Sequence, residues 1–102
     1  MRPLGTHNYY VYILTNLTKT VLYTGVTNSL EIRIAQHKAD ALGSQKTFAG
    51  KYYCYYLVYV EHFPQIDVAI AREKEIKNLT RRRKEELINS MNPEWKFLNE
   101  EW

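Results

Sequence analysis

Glycine and proline are scarce in this 102-residue chain, at four and three residues, which leaves little room for flexible or low-complexity linkers. There is a single cysteine, Cys54, so no intramolecular disulfide can form. It sits in the apolar, aromatic run from Tyr52 to Val60, where a small buried hydrophobe fits better than a nucleophile. No apolar run approaches the roughly 18 residues that a membrane helix needs, so no membrane partner is expected. Met1 to Asn8 lacks the apolar core of a signal peptide. These absences together lead us to expect a cytoplasmic protein. Charge of one sign is not in great excess either: the formal net charge is +3 and the pI about 9.0. That permits nucleic-acid binding without demanding it, so the distribution of charge must decide.

Tyrosine is what the chain has in quantity, with nine residues. A tyrosine offers a phenol for chemistry and a flat face for stacking, but it also simply fills β-sheets. Hydrophobic residues make up 45% and charged residues 25%, which excludes a disordered chain and leaves one modest core within one domain over residues 1–102.

Tyr9 to Leu14 and Val21 to Val26 read as strands joined by a polar turn, hence an antiparallel hairpin. Asn28 is placed as a helix N-cap, with Glu31 three residues on, and the helix is expected over about Ser29 to Leu42. Gly43 to Lys51 reads as a loop. Tyr52 to Glu61 reads as a third strand whose nearly continuous apolar character suggests the sheet's centre or a covered face. After Pro64, Asp67 can cap a second helix over about Val68 to Arg83. A third piece, about Lys84 to Met91, should end at Asn92-Pro93. The expected fold class is α+β: a small three-stranded antiparallel sheet flanked by helices.

Three features are out of place in a purely structural domain. If the hairpin loop is Asn16 to Lys19, Tyr12 lies directly opposite Tyr23 and the two phenols share a face. The plainer explanation is an aromatic pair that stabilises the hairpin. Arg33 and His37 stand at i and i+4 on the first helix, beside the apolar stripe of Leu30 and Ile34. Here the plainer explanation is a boundary arginine and a satisfied histidine. On the second helix, at about 100° per residue, Glu73 falls inside the apolar stripe of Ala69, Ile76 and Ile66, whereas Glu75 falls outside it. A carboxylate on a buried face is costly unless it is paired, hydrogen-bonded or bound to metal, which makes Glu73 a functional candidate. An ion pair with Arg72 or Arg33 is the structural alternative.

Taken together, these residues resemble the GIY-YIG nuclease superfamily, and most closely its small stand-alone bacterial members. The two signature tripeptides read Tyr10-Val11-Tyr12 and Tyr23-Thr24-Gly25, followed by Gly25-Val26-Thr27-Asn28, Arg33 and His37. Ala71 to Lys77 matches the acidic segment, and Leu87-Ile88-Asn89 through Asn92-Pro93-Glu94-Trp95 the C-terminal signature. The likeness covers about residues 8–99. Tyr10 stands where the first motif has Gly and Thr24 where the second has Ile, neither a position that supplies chemistry in the family.

Phosphodiester hydrolysis needs a deprotonated water, neutralised phosphoryl oxygens and help for the leaving oxygen. The resemblance implies a metal-dependent DNA endonuclease (a hydrolase acting in repair, recombination or processing) in which Glu73 holds one divalent cation. A single carboxylate with waters and phosphate oxygens suits Mg²⁺, or Mn²⁺ in its place. It further implies that Arg33 contacts the scissile phosphate, that Tyr12 or Tyr23 is the general base, and that His37 hydrogen-bonds a tyrosine or relays its proton. Asn89 and Asn92 are weaker candidates, for which a plain helix-end role competes. All five catalytic candidates are expected on one concave surface.

From Arg72 to Lys84 there are seven basic residues (Arg72, Lys74, Lys77, Arg81, Arg82, Arg83, Lys84) against two acids, a net of +5 where the whole chain has +3. Such a stretch reads as a phosphate track or as an ordinary solvated helix face. Lys46 and Lys51 flank the glycine-containing loop and would add DNA contacts. No recognition module follows the core, so specificity is expected to be low or supplied by a partner, and a homodimer would let one site per chain cut both strands. The rival readings are a catalytically silent nucleic-acid-binding module of the same fold, and a structural protein whose tyrosines only pack.

Overall fold

A computed structural model describes residues 8–101 of the chain. The N-terminal stretch considered for a signal peptide lies, apart from Asn8, outside the described residues. Strand β1 (Tyr9–Thr15) is followed by β2 (Leu22–Thr27), helix α1 (Leu30–Ala41), a short helix α2 (Phe48–Lys51), strand β3 (Tyr56–Phe63), helices α3 (Ile66–Lys77) and α4 (Arg81–Met91), and a 3-10 turn over Leu98–Glu101. The three strands form one antiparallel sheet in the order β2-β1-β3. The α+β class is therefore as the sequence suggests. The centre of the sheet, however, is β1, and β3 is an edge strand with a covered face.

The hairpin register differs from the expected one. Tyr12 faces Gly25, and it is Leu14 that faces Tyr23. The cause is Asn16, whose side-chain oxygen accepts the backbone N–H groups of Thr20 and Val21 at 2.9 and 3.0 Å and so draws Val21 into the loop. Thr15 closes the loop by donating to the Val21 carbonyl at 2.8 Å. A slip of two residues leaves every side chain on its original face, because the strand period is two.

β1 divides the core. Val11 and Ile13 point to the face covered by α3 and α4 through Ala69, Ile76 and Ile88. Tyr12 and Leu14 point to the other face, with Ile34 of α1, Ala49, Cys54 and Leu57. Helix boundaries follow the strongest caps rather than composition. Ser29, not Asn28, caps α1, its hydroxyl accepting from the Ile32 N–H at 3.5 Å. The expected helix over residues 68–83 is cut at Asn78–Thr80 because Thr80 caps α4 by accepting from the Arg83 N–H. Asp67 lies in the first turn of α3 instead of capping it. The loop after α1 contains α2, and Tyr53, at φ 59°, turns the chain out of that helix before β3 begins.

β3 carries a bulge: Ile13 pairs with Tyr59 and Leu14 with Leu57, which leaves Val58 without a partner in the ladder. The Asn92 amide nitrogen donates to the Val58 carbonyl at 3.0 Å and to the Lys96 carbonyl at 2.9 Å, while its oxygen accepts from the Lys96 N–H. Asn99 treats the same edge as a strand would, accepting from the Leu57 N–H and donating to the Tyr55 carbonyl. Asn92 is buried, so its loss leaves a buried carbonyl unpaired. We expect Asn92→Ala to cost about 2–4 kcal/mol and to lower the melting temperature by about 10 °C or more. A melt within about 2 °C of the wild type would show that the bulge does not depend on this side chain.

Candidate active site

The site begins where Gly25 has no side chain. A Cβ built there would overlap the phenol carbons and oxygen of Tyr12, so this position of β2 must be glycine for the ring to lie across it. Thus placed, the buried Tyr12 brings its hydroxyl to 3.4 Å from Nε2 of His37, which projects from α1 and is itself buried. Tyr23, partly exposed, completes the group: its ring centroid lies 6.4 Å from that of Tyr12 and 5.3 Å, edge-on, from the His37 ring. The tyrosines share a face as expected, although diagonally and not directly across the ladder.

Arg33 and Glu73 supply the charges. Arg33 is exposed, one turn before His37 on α1. Glu73 is on α3, its side chain only 14% exposed and paired with Lys77 at 3.1 Å. Its partner is neither Arg72 nor Arg33, and the Lys77 side chain is 49% exposed. The helices bearing Arg33 and Glu73 cover opposite faces of the sheet. α3 packs chiefly on β1 and β2, the strands that carry the two tyrosines, and Glu73 is close enough to act electrostatically on the Tyr12 phenol. The Tyr12 phenol thus feels Tyr23, Arg33 and Glu73, and His37 feels Arg33, but helices on opposite faces of the sheet do not give the one concave surface expected for all five.

Burial, reinforced by Tyr23, holds the Tyr12 phenol protonated well above its ordinary value; Arg33 opposes this and Glu73 adds to it. Burial also lowers the His37 pKa, with Arg33 acting in the same direction and Asp40 against it. In the resting protein the pair is therefore a protonated phenol beside a neutral imidazole, joined by one contact, and both shifts oppose passing the phenol's proton to the imidazole.

Among the described residues no group of three or more His, Cys, Asp or Glu side chains is arranged to hold a metal. What the site offers is the one largely sheltered carboxylate of Glu73, with an oxygen engaged by Lys77. That donor set fits a hard, well-hydrated cation such as Mg²⁺ and no metal that requires a protein cage.

Several other candidates have structural work. Asn92 fastens the bulge, and Asn89 accepts from the Trp95 indole N–H at 2.6 Å. Arg72 grips Glu61 through two hydrogen bonds of 2.9 Å and also reaches Glu75. Burial alone would raise the Glu61 pKa, but Arg72 and Tyr59 hold it low. Arg81 donates to the carbonyls of Thr20 and Lys19 at 2.8 and 3.0 Å and pairs with Glu85. Within the expected track, Arg72, Lys77 and Arg81 thus have partners inside the fold. Arg82, Arg83 and Lys84 carry no side-chain hydrogen bond or ion pair among the described residues. Lys46 extends from an exposed loop residue, and the Lys51 ammonium lies 5.6 Å from the Tyr52 ring centroid. Phe48, absent from the sequence candidates, stacks on Tyr23 at 6.1 Å. Its only sequence signal was Thr47, the cap that starts α2.

Comparison with known proteins gives one family. A family model described as the GIY-YIG catalytic domain matches residues 8–86. A UPF0213 protein of Natronomonas pharaonis is 41% identical over 81 residues, covering 79% of this chain and 91% of that protein. One from Clostridium perfringens is 42% identical over 81 residues, covering 79% and 83%. The solution NMR structure of a UPF0213 protein from Bacillus halodurans superposes with a TM-score of 0.54 at 34% identity, over 86% of this chain and 89% of that one.

The lowered His37 pKa has a measurable consequence. The unfolded chain takes up this proton near the ordinary value of 6.5, and the folded protein only at lower pH. The contribution is therefore fully present above that value and is lost as pH falls below it. Between about pH 7.5 and about pH 5, unfolding free energy should fall less steeply for His37→Gln than for the wild type. Equal slopes would mean that the fold does not hold this imidazole neutral.

Proposed function

Since the chain belongs to the GIY-YIG catalytic-domain family, we propose that it is a metal-dependent DNA endonuclease that hydrolyses a phosphodiester bond in the cytoplasm, in repair, recombination or processing. The observation that carries this reading is the contact of Tyr12, His37 and Tyr23, with the charges of Arg33 and Glu73 both felt at the Tyr12 phenol. A buried phenol that contacts an imidazole and feels both an exposed guanidinium and a sheltered carboxylate supports this reading over a purely packing role.

Each side chain has a task. The exposed Arg33 guanidinium presents its fork to the non-bridging oxygens of the scissile phosphate. A tyrosine takes the proton of the attacking water after giving up its own: Tyr23, whose proton would leave to solvent, or Tyr12, whose proton would pass to His37 Nε2 against both resting shifts; the positive charge of Arg33 and of a bound cation would favour the phenolate. Glu73 is the residue that would hold the divalent cation. When bound, Mg²⁺ or Mn²⁺ supplies Lewis-acid stabilisation of charge on the phosphoryl and leaving oxygens. Arg82, Arg83 and Lys84 bind the DNA backbone away from the reacting bond.

Glu73→Gln tests the cation ligand. It keeps the size and removes the charge, so Mg²⁺-dependent cleavage should fall at least about a hundredfold while DNA binding survives. Stability should change by less than about 1 kcal/mol, because Lys77 is half exposed and is not stranded in the core. A variant that cuts at the wild-type rate would defeat the assignment, as would one that melts far below wild type without metal.

The cations at the start of α4 give a second test. Replacing Arg82, Arg83 and Lys84 together with Ala should weaken DNA binding and lower the log–log salt slope by about one unit for each phosphate no longer engaged. Unchanged affinity and slope would put the DNA track elsewhere. Arg81 is left out of this variant because its loss would also free the β1–β2 loop.

A further inference from the structure

Resting on that reading, we infer that Phe48 and Tyr52 form a stacking subsite for one nucleobase lying beside the phosphate that Arg33 receives. Phe48 is 53% exposed and Tyr52 41%. Their rings do not stand alone. Tyr23 stacks on Phe48 at 6.1 Å and 24°, and Phe48 meets Tyr52 at 4.7 Å. An unbroken row of aromatic faces therefore runs from a catalytic tyrosine out to solvent. Lys51 sits over Tyr52 and Lys46 projects from the adjoining loop, so the row is bordered by cations suited to a phosphate backbone.

The row is also held in place before any ligand arrives. The Asp40 carboxylate accepts from the N–H groups of Lys46 and Thr47 and from the Thr47 hydroxyl, each at 2.8 Å, and Thr47 in turn caps α2. A Cβ on Gly50 would run into that carboxylate. Tyr53 is kept at φ 59°, a left-handed conformation unfavourable for an aromatic residue, with its hydroxyl accepting from Gln45 at 2.9 Å. Flat, rigid, exposed faces between lysines are what a base stacks upon, whichever base it is. A base inside a continuous duplex cannot reach them. The nucleotide at this position must be unpaired or turned out of its stack.

The test uses DNA carrying a single 2-aminopurine, whose fluorescence falls when it stacks, in metal-free buffer so that cleavage plays no part. Wild-type protein should quench an unpaired 2-aminopurine and leave the same base unquenched in a complete duplex. Phe48→Leu and Tyr52→Leu, each shown by thermal melting to be folded, should lose the quench and bind about five- to a hundredfold more weakly. Phe48→Trp should retain both. Wild-type binding without quenching, or leucine variants that quench as the wild type does, would overturn the subsite and leave these aromatics to a protein partner. A wild type that quenches but never cuts with Mg²⁺ fails the nuclease reading alone.

Discussion

The ring of Tyr12 lying across Gly25 is the contact on which the rest of the site depends. Any side chain on Gly25 would displace the phenol from its place across β2 and disturb its contact with His37. Burial of the ring then does two things at once. It contributes to the smaller core cluster with Leu14, Ile34 and Leu57, and it keeps the phenol protonated. Packing and chemistry therefore cannot be separated at this residue. A substitution that removes the hydroxyl but keeps the ring tests the chemistry, whereas one that removes the ring tests the fold.

The sequence made the faces of the strands legible but not their exact pairing. Tyr12 and Tyr23 could be set on one face because alternation survives a slip of two residues; the slip itself came from one asparagine whose side chain bonds to backbone groups in its own loop. Helix α3 shows the same division. Its phase placed Glu73 toward the interior correctly, since the side chain is largely sheltered. Ile66, assigned to the buried side by the same count, is 45% exposed. The sheet beneath accepts only a narrow stripe, Ala69 and Ile76, and nothing in a helical wheel states how wide that stripe is. The break at Thr80 was hidden because good helix formers stand on both sides of it, Lys74 to Lys77 before and Arg81 to Lys84 after. The role of α2 was hidden because four residues carry no period.

Charge was the least legible property. Counting gave a basic segment, yet the cations in it do different things according to what lies across from them. Arg72 closes on Glu61 from β3, and Arg81 on carbonyls of the β1–β2 loop, so both act as fasteners between elements far apart in sequence. Planar guanidinium groups suit that task, because they satisfy several acceptors in fixed directions. What remains for a ligand is the part of the run that meets no acceptor among the described residues: Lys74 on α3, and Arg82 to Lys84 at the start of α4. Thr24 makes the complementary point. Its buried hydroxyl is without a hydrogen-bond partner among the described residues, a cost that an aliphatic side chain at that place in the motif would not incur.

Asp40 joins these themes in one side chain. It lies three residues beyond His37 on α1, and its carboxylate organises the loop that ends in Thr47 and Phe48. Those same hydrogen bonds hold its own pKa low, so the charge persists across neutral pH. That charge partly offsets the effect of Arg33 on His37. Neutralising Asp40 would therefore act in two places: on the proton affinity of the imidazole, and on the position of the aromatic ring that stacks on Tyr23. A residue with no contact to the reacting atoms thus bears on both the proton affinity of His37 and the shape of the site. Its sequence context, a lone aspartate near a helix end, gives no sign of either role.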